Sequence, residues 1–274
     1  MKYEPNHSYA LNDFGVGPSV VDWEDRIDAT RLREQRLQKA KDAMEKNNVD
    51  VVVCIRWENV RYLTGHRSHQ WPTMHFGLCE ALLVRGQEKA MLLTMDHDHA
   101  NARMPWLKGW VKTSAGGALE DEAGSMQWAE NMKRLLDGFE PRRIAVDAWS
   151  PGLFAALPKV FPNAEFVNGQ AVMLDARKIK TEDEIKCMKI ACGITSRGMG
   201  AARKLIHEYP GIKECEVLSA AFKEFYDMGA EWSQCANIVC SGPYTYPYRR
   251  VTSDRLIEPG DIVVVDIGAG YNGY

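Results

Sequence analysis

The amino-acid sequence predicts an α/β protein, with α+β character in its later part, and three observations support this prediction. Between residues 31 and 160, stretches with helical apolar spacing alternate with short apolar runs typical of buried strands. Two of these runs flank a short polar turn, which is the pattern of a hairpin. A capping signal at Thr181 opens a much longer helical stretch. At 274 residues, 45% of them hydrophobic, the chain is long enough for two domains.

The elements of the first part follow from this alternation and from the residues that interrupt it. Residues 56–70 are rich in polar and aromatic groups and contain Gly65, so we expect a loop there. Pro151 fits the first turn of a helix, where its missing N–H costs nothing. The predicted elements are, in order, a helix at 31–47, a strand at 49–55, a hairpin of strands at 81–84 and 90–95, a helix at 120–137, a strand at 143–147 and a helix at 151–157.

One short stretch of this part, Asp96-His97-Asp98-His99, contains residue types that bind divalent metals. Two His at alternate positions need a shared face and at least one further ligand to form a site. Polar residues after a strand are more often a solvated turn, and we favour that interpretation here.

The second part begins with a capping box, in which Thr181 and Glu184 satisfy the free amides of a first helical turn. The helix is predicted to cover residues 182–206 and a second helix residues 213–228, with the Pro210-Gly211 pair between them. Glycines in the first helix weaken it unless they allow close packing. The residues predicted to be buried in the first helix are Ile185, Met188, Ala191, Ile194, Met199 and Ala202.

The last residues contain the strongest candidate for a functional group. Four apolar residues from Ile262 to Val265 predict a buried strand that Asp266 ends, followed by a Gly-rich turn. A carboxylate at the end of a buried strand can face a site. Most such residues cap turns or pair with an Arg, so the position alone is weak evidence.

The surrounding residues make the evidence more specific. The stretch Glu258-Pro259-Gly260-Asp261-Ile262, followed by Asp266-x-Gly268-x-x-Tyr271-Asn272-Gly273-Tyr274, resembles the segment that carries the first metal-binding Asp of the creatinase, prolidase and Xaa-Pro aminopeptidase family. The Arg177-Lys178-Ile179-Lys180 approach to the capping box, Gly229-Ala230-Glu231-Trp232 and Ser241-Gly242-Pro243 extend the likeness. It covers most of residues 170–274 and, more weakly, residues 30–170.

The resemblance implies a domain organisation and a metal centre. We expect a creatinase-like N-terminal domain at residues 1–172 and the first portion of a pita-bread metallohydrolase domain at residues 173–274. In this family two Asp, one His and two Glu usually hold two divalent ions, expected to be Mn, Fe, Co or Zn. Only Asp266 occupies a matching position, so the chain is expected to be the front part of a longer protein and to hold no metal tightly by itself.

The resemblance also implies a reaction and a set of substrate-binding residues. The leading hypothesis is an enzyme that hydrolyses a C–N bond in a small molecule or short peptide. The family His beyond the Ser-Gly motif has no counterpart here, and Tyr248 or Arg249 occupies its region. We expect Trp232, Tyr246, Tyr248 and Arg249 to bind substrate.

Two alternatives remain open. The aromatic residues around Ser241-Gly242-Pro243 are similar to those of dimethylsulfoniopropionate lyases, and aromatic faces suit a sulfonium cation. Against this, those lyases carry an additional Asp where this chain has Gly268. The second alternative is a metal-free module that serves in binding or dimerisation.

Charge and hydropathy restrict the partners. The net charge is −3, and the charges are interspersed, so no basic stripe predicts nucleic-acid binding or a membrane anchor. The first residues lack a signal-peptide pattern, and no apolar stretch approaches the roughly 20 residues that span a bilayer. We therefore expect a cytoplasmic protein. The family resemblance implies a homodimer in which the segment with Arg61, Tyr62, Trp71 and His75 reaches the partner's site.

Overall fold

The structure is a computed structural model that describes residues 27–67, 79–114, 119, 121–247 and 250–274, with the side chains of residues 234–236 excepted. The chain divides into two compact units, Thr30–Lys180 and a second that contains Thr181–Tyr274. The domain boundary predicted between residues 172 and 173 lies within a helix, Gly169–Arg177. The units themselves divide a few residues later, and the domain assignment stays a prediction at this point.

The first unit contains a six-stranded mixed sheet in the order β4-β3-β2-β1-β5-β6, which confirms the predicted α/β class. The β2–β3 hairpin is antiparallel, as predicted, and pairs Cys79 with Thr94 at its open end. The pairs β1–β5, β5–β6 and β3–β4 are parallel. The strands are β1 (Val51–Cys54), β2 (Cys79–Val84), β3 (Met91–Thr94), β4 (Val111–Thr113), β5 (Arg143–Val146) and β6 (Glu165–Asn168).

Helices cover both faces of this sheet, because alternate strand residues point to opposite sides and both sides are apolar. One core contains Val52, Leu83 and Leu92 with side chains of α1, α2, α3 and α6. The other contains Val53, Leu82 and Leu93 with side chains of α4 and α5. The helices are α1 (Ala29–Lys46), α2 (Trp57–Thr64), α3 (His97–Arg103), α4 (Glu122–Leu135), α5 (Pro151–Val160) and α6 (Gly169–Arg177).

The segment after β1 is a helix, so the loop expected at residues 56–70 is wrong for Trp57–Thr64. The first amides of this segment are satisfied by Asp147 at the end of β5, whose Oδ1 accepts from the Ile55 N–H at 2.8 Å. The helix ends at Gly65 in the left-handed conformation, with φ of 73°. Gly65 therefore terminates a helix, whereas in the sequence it indicated a loop.

Three further elements of the first unit were not predicted, the strands β4 and β6 and the helix α6. Their residues lack the clear periodicity of the other elements, and half of β6 is exposed. The Asp96-His97-Asp98-His99 stretch is also not a turn, because residues from His97 onward form α3 after Asp96. Within the described residues it belongs to no group of three or more potential metal ligands.

The second unit consists of two packed helices and an antiparallel strand pair. The elements are α7 (Glu182–Glu208), α8 (Glu214–Asp227), β7 (Trp232–Ser241) and β8 (Val263–Gly270). The predicted capping box at Thr181 and Glu184 is present and opens α7. Helix α7 packs against β8, and α8 packs against β7.

The buried stripe of α7 differs in part from the prediction. Ala191, Ile194 and Ala202 are buried, as expected. The three other predicted residues are exposed, and the stripe is completed by Cys187 and Gly198 instead. At Gly198 a Cβ would lie 2.3 Å from the Phe225 ring of α8, so the two helices approach closely there. By the helical period Ile185, Met188 and Met199 lie off this stripe, and they are exposed.

None of the described helices combines the length and the apolar character needed to cross a bilayer.

Candidate metal and substrate site

Asp266 lies within a strand rather than at its end, which corrects the prediction. β8 pairs with β7 from Val263 opposite Ser241 to Gly270 opposite Trp232, and Asp266 is opposite Ile238. The Gly-rich residues after Asp266 continue the strand because β7 is long enough to pair with them. The turn comes later, where the Tyr271 N–H donates to the Tyr274 carbonyl oxygen at 2.7 Å.

The strand opposite Asp266 is irregular at this level. A bulge shifts the register of β7 between Gln234 and Ile238. Asn237, immediately before Ile238, has φ of 52°, and its side-chain amide donates to Ser233 Oγ at 3.1 Å. Bulges bend a strand and re-aim its side chains, and they are frequent beside functional sites. The half-buried Asp266 therefore lies next to the most distorted part of the strand pair.

The described residues do not fit a complete metal centre. A divalent ion in a protein needs several ligands, and two ions need carboxylates and an imidazole that converge on both. Within the described ranges no group of three or more His, Cys, Asp or Glu residues is placed to hold an ion. Asp266 supplies one carboxylate, and no chemical step can be derived from it alone.

Trp232 lies at the far end of the strand pair, where its ring covers Gly270 on the opposite strand. A Cβ on Gly270 would lie 2.4 Å from the indole, so only glycine leaves room for the ring. Trp232 is half-buried. Its neighbour Glu231 accepts a hydrogen bond from the Gly273 N–H at 3.2 Å, which holds the turn after β8 against the start of β7.

The other predicted substrate-binding residues follow the opposite end of β7. Tyr246 is 89% exposed and precedes a cis peptide bond to Pro247. Tyr244 is half exposed, and the guanidinium of Arg250 lies 4.6 Å from the centre of its ring. Tyr248 and Arg249 lie outside the described residues.

A buried carboxylate that the sequence interpretation missed organises this region. Glu214, the first residue of α8, is completely buried and accepts hydrogen bonds from three residues of the later segment. Ser241 donates its N–H and its hydroxyl to Oε1, both at 2.8 Å. Ser253 donates its N–H at 3.1 Å and its hydroxyl at 2.8 Å to Oε2. Arg250 Nη2 bridges the two oxygens at 2.5 and 2.6 Å.

The charge state of this Glu214 cluster, Glu214 with Ser241, Arg250 and Ser253, follows from its contacts. Burial by itself raises the pKa of Glu214, but the hydrogen bonds from Arg250 and the two serines outweigh it and lower the pKa below its ordinary value. A second ion pair lies alongside, where Arg255 contacts both Ser241 Oγ and Asp261. The Arg255 hydrogen bond lowers the pKa of Asp261. Both carboxylates are therefore ionised at neutral pH.

The sequence contained only a weak indication of Glu214. An acidic residue in the first turn of a helix is ordinarily explained by the helix dipole. Its partners lie 27 to 39 residues further along the chain, and no short-range pattern connects them. Ser241 was part of the recognised motif, but its role as a donor to a buried carboxylate was not foreseen.

The residues expected to reach a partner's site lie in the first unit, where the structure describes two of them. Arg61 and Tyr62 are buried in α2, and the Tyr62 hydroxyl donates to the carbonyl of Ala176 at 3.2 Å. Trp71 and His75 lie outside the described residues.

Comparisons with known proteins identify two domains in the chain. Residues 36–179 match the Creatinase/Prolidase N-terminal domain, and residues 186–274 match Metallopeptidase family M24. An uncharacterized peptidase of Bacillus subtilis, YqhT, is 30% identical over 241 residues, which cover 87% of this chain and 62% of the relative. The Xaa-Pro dipeptidase of Pyrococcus horikoshii is 27% identical over 244 residues, or 89% of this chain and 62% of that enzyme.

Solved structures agree with these relatives. The prolidase from Pyrococcus furiosus superposes with a TM-score of 0.63 at 26% identity, over 86% of this chain and 66% of that structure's chain. The chain thus spans about three fifths of the length of the curated relatives. On the match of residues 36–179, more than half of its length, the chain belongs to the creatinase/prolidase family.

Proposed function

We propose that the protein is a metal-dependent hydrolase of the Xaa-Pro peptidase type, which splits a C–N bond in a short peptide or small molecule. The observation that carries the proposal is the match of residues 186–274 to Metallopeptidase family M24, with Asp266 on the strand pair of that segment. The relative named as an Xaa-Pro dipeptidase supports the choice of substrate. No observation favours the lyase or the metal-free module.

Within this proposal Asp266 is a metal ligand. The family implies divalent metal, and two ions chosen from Mn, Fe, Co and Zn would supply a polarised carbonyl and an activated water when bound. Residues 173–274 would form the N-terminal portion of the pita-bread domain, and residues 1–172 the creatinase-like domain. The part of the chain that the structure describes provides one ligand, so we expect the 274-residue chain by itself to bind metal weakly.

A short peptide would contact the exposed aromatic residues after β7, and only a longer substrate would also reach Trp232, which lies more than about 20 Å away at the other end of the strand. A prolyl ring is apolar and packs well on aromatic faces. Tyr246 offers such a face, since it is 89% exposed in the structure. Trp232, Tyr248 and Arg249 complete the proposed set, and the positive charge of Arg249 suits a peptide carboxylate.

The assembly and location of the protein are part of the same proposal. We infer a cytoplasmic homodimer that acts on peptides and binds neither nucleic acid nor membrane. Sedimentation velocity of the purified protein tests the dimer, and a monomer at micromolar concentration would contradict it. Cell fractionation tests the location.

The experiment that tests the activity uses the product of the complete gene that encodes this sequence. Proline release from Xaa-Pro dipeptides is measured after loading with Mn, Co or Zn, with dimethylsulfoniopropionate as the alternative substrate. Asp266→Asn is expected to lower kcat/KM at least about 100-fold and to reduce bound metal. Asp254→Asn, which removes an exposed carboxylate from the same unit, is the matched control.

Two results would refute the proposal. Failure of the metal-loaded wild type to hydrolyse any Xaa-Pro peptide would refute the proposed activity. Equal metal content and turnover in the Asp266→Asn and Asp254→Asn variants would show that Asp266 is not a ligand.

A further inference from the structure

The Glu214 cluster joins the two ends of the segment that carries the exposed tyrosines. Ser241 ends β7 and Ser253 lies beyond the tyrosines, yet both donate to the same carboxylate. Backbone bonds reinforce the second end, because the Glu214 N–H donates to the Arg255 carbonyl at 3.0 Å and the Cys215 N–H to the Ser253 carbonyl at 3.0 Å. The described residues on either side of the tyrosines, Ser241 and Ser253, are therefore both held by the first turn of α8.

A direct path leads from the carboxylate to one of the tyrosine rings. Arg250 Nη2 contacts both oxygens of Glu214, and the same guanidinium lies over the ring of Tyr244. The guanidinium is held at two nitrogens, because Nη2 contacts Glu214 and Nη1 donates to the Val251 carbonyl at 3.1 Å, so its position restricts the Tyr244 ring beside it. Tyr244 belongs to the short 3-10 helix Gly242–Thr245, which directly precedes the exposed Tyr246.

Stability alone does not explain this arrangement. A fully buried carboxylate pays a large desolvation penalty, and apolar residues of similar volume often stabilise a fold equally well or better. In some proteins a buried ionic group selects one geometry among several, and this is the role that we consider for Glu214. Here the geometry selected is that of a half-exposed aromatic segment next to the strand pair of Asp266.

We propose that Glu214 is a positioning residue for substrate binding, which acts through Arg250 to orient Tyr244 and the adjoining Tyr246. The proposal rests on the proposed peptidase function for its kinetic consequence, but its structural part is independent of that function. Glu214 itself touches no substrate. Loss of its charge is expected to increase the mobility of residues 244–246. The affinity for substrate should fall more than the rate of the chemical step.

The kinetic test compares three variants of the complete gene product. Glu214→Gln is expected to raise KM about tenfold and to leave kcat within about twofold, because binding contacts common to substrate and transition state act on KM. The double variant Glu214→Gln with Arg250→Leu removes both charges, so its urea midpoint should recover toward wild type while KM stays high. Glu224→Gln, which changes another glutamate of α8 and breaks its ion pair with Arg197 of α7, is the matched control and should leave KM unchanged.

The double variant separates positioning from simple stabilisation. If KM returns to the wild-type value together with the urea midpoint, Glu214 is only a structural residue and the proposal is wrong. A KM for Glu214→Gln equal to that of the Glu224→Gln control would overturn it as well.

Hydrogen exchange tests the structural part separately from activity. In the 274-residue chain, amides of Tyr244, Thr245 and Tyr246 should exchange at least about tenfold faster in Glu214→Gln than in Glu224→Gln. Unchanged exchange refutes the positioning role, even if the enzyme hydrolyses Xaa-Pro peptides. If wild type hydrolyses no Xaa-Pro peptide, the peptidase proposal is refuted. Faster exchange in Glu214→Gln would still support the positioning role of Glu214.

Discussion

Relative to wild type, the Glu80→Gln variant should become progressively more stable as the pH rises. Glu80 lies on β2, is completely buried, and accepts one hydrogen bond, from Ser114 Oγ to Oε2 at 3.2 Å. Among the described residues its Oε1 has no hydrogen-bond partner. Burial raises the pKa of this carboxyl from 4.5 to about 8, against smaller lowering by the Ser114 hydroxyl and the nearby Trp128 indole.

The sign of the effect follows from the raised pKa. Below pH 4.5 the carboxyl is protonated in both states and carries no penalty. Between pH 4.5 and about 8 the unfolded chain ionises and the folded chain does not, so the free energy of unfolding falls as the pH rises. At about 1.4 kcal/mol per pH unit, the full loss in wild type is about 5 kcal/mol.

Urea unfolding at several pH values, followed by tryptophan fluorescence, measures this loss directly. Glu80→Gln cannot titrate, so its stability relative to wild type should increase by about 4 kcal/mol between pH 5 and pH 9. Glu88→Gln, in the exposed turn of the same hairpin, is the control and should follow the wild-type curve. If Glu80→Gln also runs parallel to wild type within about 1 kcal/mol, the carboxyl ionises in the folded state at no cost and the reasoning is wrong.

Three further predictions concern stability and are measured by the same urea unfolding. Gly198→Ala should destabilise the second unit by about 1–3 kcal/mol, because the new Cβ would overlap the Phe225 ring. Gly200→Ala, which has no atom within 4 Å of its Cβ, should stabilise the unit by up to about 1 kcal/mol. Equal effects of the two substitutions would refute the packing explanation. Asp147→Ala should cost about 1–3 kcal/mol by leaving buried donors of α2 and its approach unpaired, and a neutral result would contradict that role. Thr181→Ala should cost about 1 kcal/mol through loss of the capping box, and a cost below a few tenths would show that the cap is redundant.

The sequence predicted the elements whose signals are local. The β2–β3 hairpin, the helices α1, α4, α7 and α8 and the capping box at Thr181 are confirmed, because periodicity, turns and caps are properties of a few consecutive residues. Trp57–Thr64 was missed because the residues that lead into it, Ile55 and Arg56, donate their amides to Asp147, some 90 residues away in the sequence. Distant partners of this kind leave no trace in a short window.

The candidate site shows the same limit more strongly. Asp266 could be found because the residues around it resemble a known family. That its strand extends to Gly270 depends on the pairing with β7 and on the space that Gly270 leaves for Trp232. The Glu214 cluster could not be foreseen, since its donors come together only when the strand pair and the first turn of α8 are in place.

The order of strands in the first unit has a consequence for biosynthesis. β1 lies between β2, which follows it closely, and β5, which begins about 90 residues later. As the chain leaves the ribosome, β1 to β4 can pair in succession while one edge of β1 stays open. Arrival of β5 closes that edge, and Asp147 at its end reaches the amides before α2 in the same event. A ribosome stalled before residue 143 would therefore hold a nascent sheet with an unpaired central strand, a form that chaperones recognise.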